Sequence, residues 1–156
     1  MPWFPEFSQA LEMARRQTRA AARVDPVGEY VAALNNRDSR ALKVAWPGEV
    51  VIHDPREGEV RGHRHVRDFV RHSGQWLGER HARTETVAST VADGRAVVEL
   101  LAHLTLEGRD LAWPVTVVAE SPDEVSVVFR SYYSQWPHRS PQGQIAPPAT
   151  RTGPSR

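Results

Sequence analysis

Around Trp76 the apolar residues change their spacing, and few folds accommodate that change. Before it, Tyr30, Val31 and Leu34, and again Val66, Phe69 and Val70, recur at the intervals of one helix face. After it the period falls to about 2. Ala82 to Val91, Ala96 to Glu107, Leu111 to Ala119 and Val125 to Ser134 read as four strands. Between them lie Asp93-Gly94, Glu107-Gly108-Arg109 and Ser121-Pro122-Asp123-Glu124, and Asp-Gly between apolar runs is a strong hairpin signal. Helices followed by an antiparallel meander predict an α+β fold rather than alternating βαβ units.

The helical half is punctuated as clearly. Residues 8 to 23 read as a first helix, capped by Ser8, with Leu11, Met13 and alanines forming a weak apolar stripe beside four arginines. Asp25-Pro26 starts a second helix that runs to Asn35. Ser39 to Trp46 reads as a third, stopped by Pro47-Gly48. Val50 to Asp54 is a short strand, Pro55 to Gly62 a polar turn, and His63 to His72 a further helix. The segment from Pro137, with further prolines at 141, 147, 148 and 154, reads as largely irregular.

Composition narrows the function classes. With 156 residues, roughly 70% of the unfolded surface can be buried, so the core needs no metal or disulfide staple. The formal charge of +1 gives no global reason to expect nucleic acid or anionic lipid. Arg61, Arg64, Arg67 and Arg71 carry no interleaved aromatics, and Asp68 sits among them, so they read as a solvated face. No stretch approaches eighteen consecutive apolar residues, so no membrane partner is expected. The absence of cysteine removes thiolate chemistry and fits a cytoplasmic location. Lys43 is the single lysine, which leaves Schiff-base chemistry one candidate amine.

Asp54 ends an apolar strand beside a helical layer, where a partly buried carboxylate can serve as a general base. The plainer reading is a cap on the Pro55 turn. Tyr30 lies on an apolar helix face; it is either a core aromatic or, turned into a cavity, a donor to a developing oxyanion. His63 and His65 have a His-x-His spacing, but helical periodicity turns i and i+2 apart, and no metal site is expected. His53 follows strand alternation away from Asp54. His81 and His103 are candidates for a second acid/base. Gly-rich phosphate loops, the Gly-x-Ser-x-Gly elbow and HExxH are all absent.

The run Tyr30-Val31-Ala32-Ala33-Leu34-Asn35-Asn36-Arg37-Asp38, followed by Val51-Ile52-His53-Asp54-Pro55, resembles the ketosteroid isomerases of the NTF2-like (SnoaL-like) superfamily. Gly62 to Val70 is similar to a further helix of that family, and the resemblance spans about residues 24 to 134. It implies a cone-shaped roll over 24–136, with N-terminal helices packed on a curved, mostly antiparallel sheet around an apolar pocket. Residues 1–23 then form a helical extension and 137–156 a Pro-rich tail.

By the same resemblance Asp54 is the proton-shuttling carboxylate and Tyr30 the oxyanion donor. The family's second oxyanion donor, an Asp after a proline, is replaced by Thr116 when that proline is matched to Pro114. Losing such a donor costs about 10²–10³ in rate. The strand match places Leu100, Ala102 and Leu104 in the pocket and turns His103 away. Trp46, Phe69, Trp113 and Tyr132 complete the expected lining.

The implied activity is cofactor-independent proton transfer on a hydrophobic carbonyl compound, steroid or polyketide-like, as in double-bond isomerisation. The superfamily's alternatives are a SnoaL-like polyketide cyclase or dehydratase, or a non-catalytic binding or assembly protein. An epoxide hydrolase's Asp-Arg-Asp set is not formed around Arg130, since Asp110 falls in a turn. Strand 97–106 is apolar on both faces, which predicts a homodimer through the outer face of the sheet.

Overall fold

The computed structural model describes residues 5–133; the Pro-rich segment from Pro137 lies outside them. Four helices and six strands follow in chain order: α1 Pro5–Val24, α2 Pro26–Asn36, α3 Arg40–Ala45, β1 Glu49–Asp54, β2 Gly58–Arg61, α4 His63–Glu79, β3 Arg83–Ala92, β4 Arg95–Leu106, β5 Arg109–Asp123 and β6 Ser126–Tyr133. The strands form one sheet in the order β2-β1-β6-β5-β4-β3. All neighbours are antiparallel except β1 and β6, which run parallel. This is the α+β, NTF2-like architecture, with N-terminal helices packed on a curved and largely antiparallel sheet.

Local chemistry sets the element ends. Asp25 accepts the N–H of Gly28 at 2.9 Å, and Pro26 pre-sets the first turn of α2. Arg37 ends that helix in the left-handed region at φ 56°, its N–H reaching the carbonyls of Ala33 and Leu34. The β4–β5 turn is equally specific. Glu107 and Gly108 have φ of 50° and 74°, the paired positive values that a tight two-residue hairpin needs.

Alternation fixes the two faces of the sheet. Val98, Leu100, Ala102 and Leu104 of β4 are buried, as are Trp113 and Val117 of β5 and Val127, Phe129 and Ser131 of β6. Against this concave face α2, α3 and α4 supply Val27, Tyr30, Leu42, Val66 and Val70, all nearly solvent-free. Within the chain the opposite face of β4 is half-buried, at Val97, Leu101, His103 and Thr105.

Three elements depart from expectation. The turn between β1 and α4 contains β2, paired from Val51↔Arg61 to Asp54↔Gly58, a short edge ribbon whose Val60 packs against the core among polar neighbours. Helix α4 runs to Glu79, past the change of period at Trp76. Its Gly74 lies so near α2 that an added Cβ would strike the Leu34 carbonyl, and that contact holds the extra turns in place. In α1 the predicted stripe stays outside: Leu11 is 43% and Met13 61% exposed, and Ala22, near its C-terminal end, is the side chain that enters the core.

Candidate functional site

Asp54 stands at the last position of β1, where Pro55 turns the chain away. Its Oδ1 accepts the N–H groups of Arg56 at 2.8 Å and Glu57 at 3.2 Å, so the carboxylate caps its own turn. The turn leaves the second oxygen free of backbone donors. The hydroxyl of Tyr133, at the end of β6, reaches both oxygens at 3.2 Å. Oδ1 is therefore anchored three times, and among these bonds Oδ2 takes only the phenol.

Tyr30 comes from the middle of α2 and is 3% exposed. Its ring stacks on Phe129 with centroids 4.6 Å apart and planes 14° from parallel, while Trp46 meets the same Phe129 edge-on at 5.6 Å. Burial pushes the Tyr30 phenol well above its ordinary range, and the negative charge of Asp54 pushes it the same way. The hydroxyl of Ser131 partly offsets this by hydrogen bonding to the phenol oxygen. Tyr30 is thus a neutral O–H donor at any physiological pH.

These groups share one cavity of about 160 Å³, walled by α2, α4, the β1–β2 turn and strands β3 to β6. Its lining includes Tyr30, Asp54, Ser131 and Tyr133 together with the expected Phe69, Leu100, Ala102, Leu104 and Trp113. Asn35, Arg56, Glu57 and Thr84 add polar, exposed positions to the lining. Apart from Ser73 the rest is predominantly apolar, which suits a small hydrophobic ligand.

Several predicted residues lie elsewhere. Thr116 sits between Trp113, Val115 and Val117, so alternation turns it to the outer face, opposite Glu99 and Tyr132. It cannot replace an oxyanion donor in this cavity. Tyr132 is 56% exposed on that same face, and its neighbour Tyr133 takes the inward place. Trp46 is buried behind Phe129 in the core and does not reach the cavity. His103 bonds Glu85 at 3.0 Å on the outer face, and His81 is exposed in the turn after α4 at φ 51°. Neither lines the cavity.

The other polar groups are engaged in structural roles. Arg130 pairs with Glu120 at 3.0 Å, and Asp110 accepts the Thr105 hydroxyl at 2.8 Å, both outside the cavity lining. His65 contacts the Arg61 carbonyl at 3.0 Å. Among the described residues no three His, Asp or Glu side chains converge as metal ligands. Tyr133 and Ser131 are the site residues that sequence reasoning missed. Both lie in an apolar strand, with inward parity shared by Val127 and Phe129.

Residues 27–133 match the model of the SnoaL-like domain. No curated protein matches the chain. Solved structures similar in fold include a Mycobacterium tuberculosis epoxide hydrolase of the LEH-like kind, at 17% identity and TM-score 0.54, covering 73% of this chain and 84% of that one. An NTF2-like protein of unknown function from Burkholderia pseudomallei aligns at 20% identity and TM-score 0.57, covering 72% and 90%. SalBIII, described as an epoxide hydrolase/cyclase-like enzyme in pyran ring formation in the polyether salinomycin, aligns at 16% identity and TM-score 0.56, covering 75% and 94%.

Proposed function

The chain belongs to the SnoaL-like domain family, and from that premise we propose that it is a cofactor-independent acid–base enzyme of the polyketide cyclase type. The observation that carries this is the wall of the cavity. A carboxylate is anchored through Oδ1 by its own turn, and its Oδ2 faces the cavity of a buried, protonated phenol, whose floor is apolar and whose rim carries Asn35, Arg56, Glu57 and Thr84. A carboxylate held beside a neutral donor suits proton removal from carbon alpha to a carbonyl.

In the proposed sequence Oδ2 of Asp54 takes that proton, and the C–H electron pair moves onto the carbonyl oxygen. The Tyr30 hydroxyl donates to the enolate oxygen, while Tyr133 and the two backbone N–H groups hold the carboxyl group in place. The enolate carbon then attacks a second carbonyl of the same molecule and forms the ring bond. Asp54 returns its proton to the new alkoxide. No proton is gained or lost, and the substrate's own carbonyl is the electron sink.

Isomerisation is the second reading, because the Tyr30–Asp54 spacing resembles that of the ketosteroid isomerases. It needs only that Asp54 return the proton to a different carbon. With Thr116 turned outward, Tyr30 lacks the second donor that the isomerase resemblance calls for, which favours the cyclase. A homodimer through the outer sheet face, where Tyr132 is exposed, belongs to the same proposal and is read by sedimentation.

The test sets two substrates beside each other: a 5-ene-3-ketosteroid, and an aromatic β-keto ester carrying a second carbonyl within closing distance. Both reactions are followed by ultraviolet absorbance. Ring closure that drops by about 10²–10⁴ in Asp54→Asn and about 10²–10³ in Tyr30→Phe supports the cyclase reading. Steroid turnover with the same losses moves the isomerase ahead. Turnover that survives Asp54→Asn removes Asp54 as the base.

A further inference from the structure

The concave surface continues beyond the cavity. Val31, Thr84 and Leu100 line it and also a second hollow of about 270 Å³, so the two spaces share a wall. The hollow is bounded on one side by Asp25, Pro26 and Gly28 at the start of α2, and on the other by Thr86, Ser89 and Val91 of β3. β3 pairs with β4 along its length, all ten of its residues are exposed, and among the described residues no helix packs closely on it.

A bulge decides what β3 presents there. Its register shifts between Thr86 and Ala88, with Val87 as the extra residue. Ahead of the bulge Thr84 and Thr86 stand across from Ala102 and Leu100, which face the concave side. Beyond it the parity switches, and Ser89 stands across from Val98. Without the extra residue Ala88 would hold that place. The result is a row of three hydroxyls, Thr84, Thr86 and Ser89, along a floor of buried Leu100 and Val98.

The facing wall carries a carboxylate. Asp25 spends Oδ1 on the Gly28 N–H at 2.9 Å, which leaves Oδ2 as an acceptor. Among the described residues no Arg, Lys or His lines the hollow. Hydroxyls opposite a carboxylate favour neutral groups that donate and accept hydrogen bonds, and they disfavour an anionic arm.

We propose that this ledge binds a neutral, hydroxyl-bearing arm of the substrate, polyol- or sugar-like, whose carbonyl-bearing body lies against Asp54. The proposal rests on the reading of the cavity as the substrate site. It makes the ledge the part of the protein that selects among carbonyl compounds of similar body.

Titration calorimetry with four probes tests it: 2-naphthol, 6-propoxy-2-naphthol, 6-(2,3-dihydroxypropoxy)-2-naphthol and 6-(carboxymethoxy)-2-naphthol. The diol is expected to bind about tenfold tighter than the propoxy compound, the gain of one to two net hydrogen bonds. The carboxylate is expected to bind no tighter than 2-naphthol. In the double variant Thr86→Val with Ser89→Ala, both exposed positions, the advantage of the diol disappears while the 2-naphthol Kd stays unchanged. In Asp25→Asn, which keeps a capping side chain, the carboxylate probe gains affinity.

Equal affinities of diol and propoxy probes in the unaltered protein overturn the proposal, and so does a diol advantage that persists in the double variant. If 2-naphthol binds and the hydroxyls add nothing, the ledge alone is lost. If none of the four binds, the reading of the cavity fails and takes the ledge with it.

Discussion

The hydroxyl of Tyr133 lies 3.2 Å from both oxygens of Asp54, although 79 residues separate them in the chain. Tyr133 thereby fixes the carboxylate plane from the side that the Pro55 turn leaves open. Tyr133→Phe should lower kcat in the ring-closure assay by about 10- to 100-fold with KM little changed, because a base misplaced by about 1 Å costs rate more than binding. An equal rise in KM with kcat intact would make Tyr133 a ligand contact instead.

Thr116 gives the opposite expectation. It faces Tyr132 and Glu99 outside the cavity, so Thr116→Val should leave turnover unchanged. A tenfold loss in that variant would return Thr116 to the reacting groups.

Gly74 and Gly78 are one helical turn apart in α4 and should respond with opposite sign. A Cβ on Gly74 would meet the backbone carbonyl of Leu34, which cannot move without shifting α2. Gly74→Ala should cost about 1–3 kcal/mol. At Gly78 the obstacle is the end of the Arg37 side chain, which can swing away. Gly78→Ala should be neutral or mildly stabilising, since Gly78 is the next-to-last residue of α4 and alanine favours the helical backbone over glycine. Urea midpoints of the two variants decide this.

Tyr30 predicts an alkaline limit. Its phenol is raised in the folded protein by burial and then by Asp54, while in the unfolded chain it ionises near pH 10. Above about pH 10 the unfolded chain loses this proton and the folded one keeps it, so stability falls as pH rises; below that it is independent of this group. Denaturation series from pH 8 to 11.5 should show a steeper alkaline loss in the unaltered protein than in Tyr30→Phe.

Phe129 supports the donor. It is fully buried between the Tyr30 stack and the edge of Trp46, and Phe129→Leu removes both ring contacts. A loss of about 1–2 kcal/mol is expected by thermal unfolding, together with lower kcat as Tyr30 gains freedom.

Much of this was legible in the chain. The change of period near Trp76, the Asp93-Gly94 and Glu107-Gly108 turns, and the motif around Tyr30 and Asp54 led to the fold and to two of the residues that share the cavity. Parity across an irregular strand pair was not legible. The β5–β6 register shifts between Glu120 and Asp123, which the sequence does not reveal, whereas alternation along β6 itself from Phe129 through Ser131 does point to Tyr133 rather than Tyr132. Thr116 was misplaced by matching Pro114 to the family's proline, although alternation from Trp113 turns it outward. Trp46 was misread for another reason: a large aromatic beside a pocket motif fits the core as well as the lining, and only tertiary packing separates the two. The length of α4 was hidden because glycine reads as a breaker, while here it permits close helix contact.

The parallel pairing of β1 with β6 has a consequence for synthesis. β6 is the last strand to leave the ribosome among the described residues, yet it takes a place in the middle of the sheet, between β1 and β5. Until it arrives, the β1–β2 ribbon and the β3–β5 meander are two pieces with no hydrogen bonds between them. Asp54 rides on one piece, and the phenol that holds it arrives with the strand that joins both. The full set of bonds around Asp54 and the closed sheet are therefore completed in a single step, while a half-made chain has only the turn's own two N–H groups on that carboxylate.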